Sequence, residues 1–128
     1  MIMKHHEQAV STDEFIMKQS GSMTADELRS LRRFVTALDQ KKKEAESRRH
    51  TELAEGMATL GTWLSSSEVT DAADPLPKHL AEAGAALRYV LKGVDIIPDT
   101  VPGLGLVDDE WIVGRVLQRN PSLRTINR

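Results

Sequence analysis

Asp95, Asp99, Asp108 and Asp109, with Glu110 behind them, crowd the stretch VDIIPDTVPGLGLVDDE at residues 94–110. Carboxylates grouped in this way offer three kinds of chemistry. Their hard oxygens suit a divalent cation such as Mg²⁺ or Ca²⁺, provided the chain folds the two ends of the stretch together. A single buried member with a raised pKa would move a proton in a hydrolytic role. Short acidic side chains also accept from backbone amides that a turn or a helix start leaves unpaired. The spacing lacks the alternating ligands and closing Glu of an EF-hand loop, so caps and turns are the leading expectation. Asp95, Asp99, Asp108 and Asp109 are the candidate ligands if an ion is bound.

No other stretch carries the pattern of a known reaction. The absence of cysteine excludes thiolate ligands, disulfides and a thiol nucleophile. His5 and His6 lie in a polar N-terminal segment, His50 in a charged helix and His79 near a helix start. None has a partner at metal-site spacing, and all four are expected at the surface. The GLG at 103–105 lacks the third glycine of a dinucleotide fingerprint, and no phosphate loop with Gly-Lys-Ser/Thr occurs. No serine shows a nucleophile-elbow pattern. No catalytic residue is assigned, and the one cofactor in view is the divalent cation.

Positioning these carboxylates requires a corner between two helices. Pro98 turns Ile97 away from helical geometry and Pro102 does the same to Val101, so no regular helix runs through both. Asp108 stands where it would cap the following helix, with Asp109 and Glu110 in the first turn opposing the positive end of the dipole. That helix carries Trp111, Ile112, Val113, Val116 and Leu117 and stops at Asn120-Pro121. Before the corner, the spacing predicts a helix over roughly 78–92 carrying Leu80, Leu87, Val90 and Leu91, with Gly93 as its C′ residue. Ala83 and Gly84 in its small centre would admit a close neighbour, for which Gly114 is the natural counterpart.

Tyr89, Asp95, Pro98, Asp99, Pro102, Gly105, Asp108 and Asp109 together resemble the signature of the YkvA-like family of bacterial domains of unknown function. The likeness covers about residues 80–120. Gly93 departs from it, since the family usually has a proline there. The resemblance implies a small helical fold with a helical hairpin at its centre, and it brings no established reaction, cofactor or catalytic residue.

Upstream, Thr24 and Glu27 form a capping box, and Leu28, Leu31, Val35 and Leu38 follow at helical spacing. The stripe lapses from Asp39 to Glu52, where Asp39/Lys43 and Glu44/Arg48 are favourable pairs, and returns as Leu53, Met57, Leu60 and Leu64. The segment is either one long helix or a pair broken around Arg49 and Gly56, ended by the serines at 65–67. Residues 1–23 are expected to be a flexible arm, with Phe15, Ile16 and Met17 docking on a partner or resting on the core. The organisation expected is thus an arm at 1–23, a charged helix or helix pair at 24–67, a helical hairpin domain at 75–120 and a basic tail at 121–128.

The fold class expected is all-α, because a 40% hydrophobic share with two Phe, two Trp and one Tyr leaves the core to aliphatic residues. The N-terminus has no apolar run of signal-peptide length and no segment is long enough to span a membrane, so a cytoplasmic protein is the default. The net charge of -2 conceals a basic zone at residues 25–50, an acidic one at 68–110 and a basic end. Alternation of this kind guides self-association or docking. The basic run KKKEAESRRH has no interleaved aromatic to stack on bases, and five acids beside the apolar corner oppose an anionic membrane, so neither nucleic acid nor membrane is the expected partner. The function expected is a non-enzymatic interaction module that self-associates or binds another protein through the long helix and arm. A metal-binding or metal-dependent hydrolytic domain is the alternative, with nucleic-acid or membrane-surface binding behind it.

Overall fold

Thr24 starts the best-marked helix, and its hydroxyl accepts from the Glu27 amide at 3.1 Å. The second half of the expected capping box is missing, because the Glu27 carboxylate instead pairs with Arg88 at 2.9 Å. Asp74, from the linker ahead of a later helix, accepts from the Ala25 amide at 2.9 Å and satisfies another free donor of this helix start. The structure, a computed structural model, describes residues 12–96 and 104–125, apart from the side chains of 92–96, 104–108 and 125.

Among the described residues every regular element is helical, which makes the fold all-α. Helix α1 covers residues 12–20. Helix α2 (Ala25–Ser30) passes through a 3-10 turn, Leu31–Phe34, into α3 (Val35–Ser47). Then come α4 (Thr51–Leu64), the single turn α5 (Ser67–Thr70), α6 (Lys78–Ile96), α7 (Leu104–Arg119) and a closing 3-10 turn, Pro121–Thr125.

Of the two readings weighed for Phe15, Ile16 and Met17, the structure has α1 resting on the core. Ile16 of α1 is 1% exposed, and the Phe15 ring meets Tyr89 edge-on with centroids 5.4 Å apart. Burying an isoleucine stabilises by about 1.5–3 kcal/mol, enough to hold a short helix that is weak alone. Residues 1–11 lie outside the described part.

Of the two forms weighed for residues 24–67, the structure has the broken one. The break falls at 48–50 and not at Gly56. The Arg49 amide bonds the Glu46 carbonyl at 3.1 Å and the His50 amide bonds the Ala45 carbonyl at 2.8 Å, the two hydrogen bonds of a Schellman motif. Its C′ residue, Arg49, has φ 65°, a conformation that costs a side-chain-bearing residue about 1 kcal/mol. Helices α3 and α4 then fold against each other.

Gly56 lies inside α4 facing α7, where an added Cβ would stand 2.6 Å from Val113 Cγ1 and 3.2 Å from Leu117 Cδ1. The α4–α7 approach therefore depends on this glycine. Gly84 does comparable work on α6, but its neighbours are Leu28 and Met23, at 3.0 and 3.1 Å from an added Cβ. The expected Gly84–Gly114 contact is corrected: nothing lies within 4 Å of a Cβ at Gly114.

Helices α6 and α7 pack together and run in opposite directions, since Lys78 and Glu82 at the start of α6 bond Arg119 and Asn120 at the end of α7. Both are longer than expected. Helix α6 runs past Gly93, not a C′ residue after all, to Ile96, the last position before the residue that Pro98 bars from helical geometry. Helix α7 begins at Leu104, so Asp108 lies within the helix instead of capping it, and Asp109 and Glu110 fall in its second turn. Trp63, Leu60 and Leu64 of α4, Leu28 of α2, Leu87 of α6 and Val116 of α7 are at most 1% exposed and form the centre of the core.

Candidate functional site

Of the four candidate ligands, the structure describes the side chain of Asp109 alone. It is 4% exposed and pairs with an ammonium that is 8% exposed: Lys41 Nζ lies 2.9 Å from Asp109 Oδ2. The approach is off the axis of a well-aligned hydrogen bond, so the contact is chiefly an ion pair. Lys41 also donates to the Val90 carbonyl at 3.2 Å. Three helices thus meet on one buried charge pair: α3 supplies the cation, α7 the anion and α6 the carbonyl. Asp95 lies in the last turn of α6 and Asp108 in α7 by backbone, while Asp99 and the prolines at 98 and 102 lie outside the described residues. Among the described residues no three His, Cys, Asp or Glu side chains group to hold a metal.

A second charge cluster joins α1, α6 and α7. Arg115 grips Asp13 with Nε and Nη2, at 2.6 and 2.9 Å. Arg119 grips Glu82 in the same two-pronged way at 2.9 Å for each bond, and Asn120 adds a third donor to Glu82 at 2.9 Å. The bond from Arg115 holds the Asp13 carboxyl below its ordinary range. Burial pushes Glu82 the other way, but Arg119 and Asn120 outweigh it, and its carboxyl also lies low. Both arginines are held above theirs by their partners. Groups fixed in this way have no proton to give or take near neutrality. They act as a clasp.

His79, expected as a surface residue, is 28% exposed in its side chain and lies 2.9 Å through Nε2 from Glu68 Oε2. The other oxygen of Glu68 accepts from the buried Trp63 indole at 3.0 Å. His50 Nδ1 is 3.5 Å from Glu110 Oε2. His5 and His6 lie outside the described residues.

Four of the eight lysines and arginines at residues 25–50, Arg29, Arg32, Arg33 and Lys41, donate to carbonyl oxygens. Arg32 donates to Leu64 and Ser66 carbonyls at 2.8 and 3.0 Å, and Arg29 to the Ala72 carbonyl at 2.7 Å. The Leu64 carbonyl is one that the end of α4 leaves unpaired, and a guanidinium there also suits the dipole, while the Ser66 carbonyl is shared with the Thr70 amide. With Lys41 buried, the run KKKEAESRRH is a less uniform phosphate-facing surface than its letters suggest.

An open groove lies between α4 and α7. Two adjoining hollows of about 250 and 280 Å³ share Glu52, Gly114 and Gln118. Glu110, Trp111 and Arg115 line the first, and Glu55, Thr59 and Arg124 are among those lining the second. Gly114, read from sequence as a contact glycine, leaves the floor of this groove open. Sequence reasoning missed the groove because its walls come from residues far apart in the chain. The available signal was a glycine on the polar edge of the α7 stripe, flanked by Trp111 and Gln118.

The geometry defines an all-helical domain with buried, mutually paired charges and an open groove on one side. Residues 79–114, spanning most of α6, the connection and the first two-thirds of α7, are similar to a family described as a protein of unknown function, DUF1232. No curated protein and no solved structure matched the chain.

Proposed function

We propose that the chain is a non-enzymatic helical interaction module of the YkvA-like kind, working in the cytoplasm, with the α4/α7 groove as its contact surface. The observation that carries this reading is the groove itself: a partly exposed Trp111 beside an open glycine floor, rimmed by charged residues. Tryptophan anchors surrounded by a polar rim are what protein interfaces are built from. The groups with chemical potential, Lys41, Asp109, Glu82 and Arg119, are committed to one another. The contact surface moves from the arm and long helix, because α1 is docked and α3 and α4 fold on each other.

A photo-crosslinking residue in place of Gly114 tests it, since the position has room for a side chain. Irradiated cells should give an adduct of defined mass, and a probe at the exposed Thr36 should not. Equal labelling at both positions, or none at 114, ends the reading. Ion binding is checked in parallel by thermal unfolding. Lys41 already holds the Asp109 carboxylate that a cation would need, so EDTA, Mg²⁺, Mn²⁺ and Ca²⁺ should leave the midpoint unchanged. A rise with any ion would return the site to Asp95, Asp99, Asp108 and Asp109, because a ligand bound only by the folded state must raise it.

A further inference from the structure

Arg49 occupies the left-handed C′ position of the α3 end, where glycine suits the backbone better. The monomer's turn therefore gives no reason for an arginine. The side chain is exposed, and among the described residues it meets no carboxylate. The next residue, His50, contacts Glu110, which lines the α4/α7 groove, so the turn that carries Arg49 adjoins the groove. Three carboxylates, Glu52, Glu55 and Glu110, line the groove against two guanidiniums, Arg124 and an Arg115 whose charge Asp13 meets, and Glu52 and Glu55 are exposed and make no ion pair among the described residues. The groove is thus an acidic hollow with an indole wall, and a guanidinium is the group that both features favour.

We propose that the groove receives Arg49 of a second copy of this chain, whose own groove receives Arg49 of the first. The inference rests on the interaction reading above and names its partner. A contact about a two-fold axis uses the same patch on both copies, so it needs a knob and a hole side by side. Arg49 and the Glu52/Glu55 hollow are such a pair. The guanidinium would pair with the two carboxylates and lie against Trp111.

Sedimentation velocity on the full chain over a range of concentrations tests this. The wild-type chain should pass from monomer to dimer as concentration rises. Arg49→Gly should weaken the dimer at least tenfold while the dilute monomer melts no lower than wild type, because the turn now has the residue its backbone prefers. Arg49→Glu should abolish the dimer, as should the double change Glu52→Arg with Glu55→Arg. Mixed together, those last two proteins should form a heterodimer, since both reciprocal contacts are then complementary. A wild-type dimer indifferent to Arg49→Gly, with no heterodimer on mixing, overturns the inference alone. A strictly monomeric wild type overturns it too, and the interaction reading then stands or falls on whether the probe at 114 captures a different protein.

Discussion

Lys41 belongs to a run of charges that reads as a solvated face, yet its ammonium lies in the core against Asp109. Leu38, Lys41 and Ala45 are all buried at helical spacing, so the stripe of α2 and α3 does continue through the charged run with a lysine as one member. That spacing was legible, whereas its partner was not, because nothing local links α3 to the second turn of α7. Lys41→Met should remove the counter-ion of a buried carboxylate and cost about 3–5 kcal/mol, read as a lower denaturant midpoint. Lys41→Met with Asp109→Leu should recover much of that loss, since an apolar pair has no charge to desolvate. Equal cost in single and double variants would show that the pair is not coupled. The Asp13 and Glu82 carboxyls, both held low in the fold, give a second prediction. Their stabilisation is fully present above the unfolded range of about pH 4 and is lost as pH falls through the depressed folded values. The melting temperature should therefore hold down to about pH 5 and drop below it, with a shallower acid limb in Asp13→Asn and Glu82→Gln.

Two glycines on facing helices predict opposite outcomes for one substitution. Gly56→Ala sets a methyl 2.6 Å from Val113 and should destabilise by about 1–3 kcal/mol of overpacking, less the gain in helix propensity. Gly114→Ala meets open space and should stabilise by roughly 0.5–1 kcal/mol from propensity alone. Thermal melts of the two variants check both signs. At this scale most of the fold could be read from the sequence: the start at Thr24, the stop after Leu64, the entry near Lys78 and the exit at Asn120 all follow from caps, serines and prolines. The readings that failed have physical causes. A glycine inside a helix costs only about 1 kcal/mol, so α6 runs through Gly93 to Ile96. A Schellman turn with arginine at C′ gives no glycine to read, which left the break at 48–50 ambiguous. Asp108 resembles a cap only if the helix is taken to begin after the loop's glycines, and α7 begins at Leu104.

Taken whole, the molecule ties its expected parts together. Asp74 of the linker holds the start of α2, Glu27 of α2 holds Arg88 of α6, and α4 packs on α7. One cooperative unfolding transition is expected, with coincident loss of helical signal and Trp63 fluorescence. Residues 75–120 made alone should show little stable helix, because the faces of α6 and α7 that meet α2 to α4 would be left in water. Ile16→Ala should cost about 2–5 kcal/mol, a core-sized effect from a segment that its sequence presents as a loose end. The clasp between Asp13 and Arg115 joins residues 102 positions apart, and Ile16 beside it is nearly sealed from water. On the ribosome α1 emerges 102 residues ahead of Arg115, the far half of its clasp. At 5–20 residues per second, roughly 5–20 s pass with Phe15 and Ile16 uncovered, long enough for a chaperone to hold the nascent chain or for two such chains to stick together.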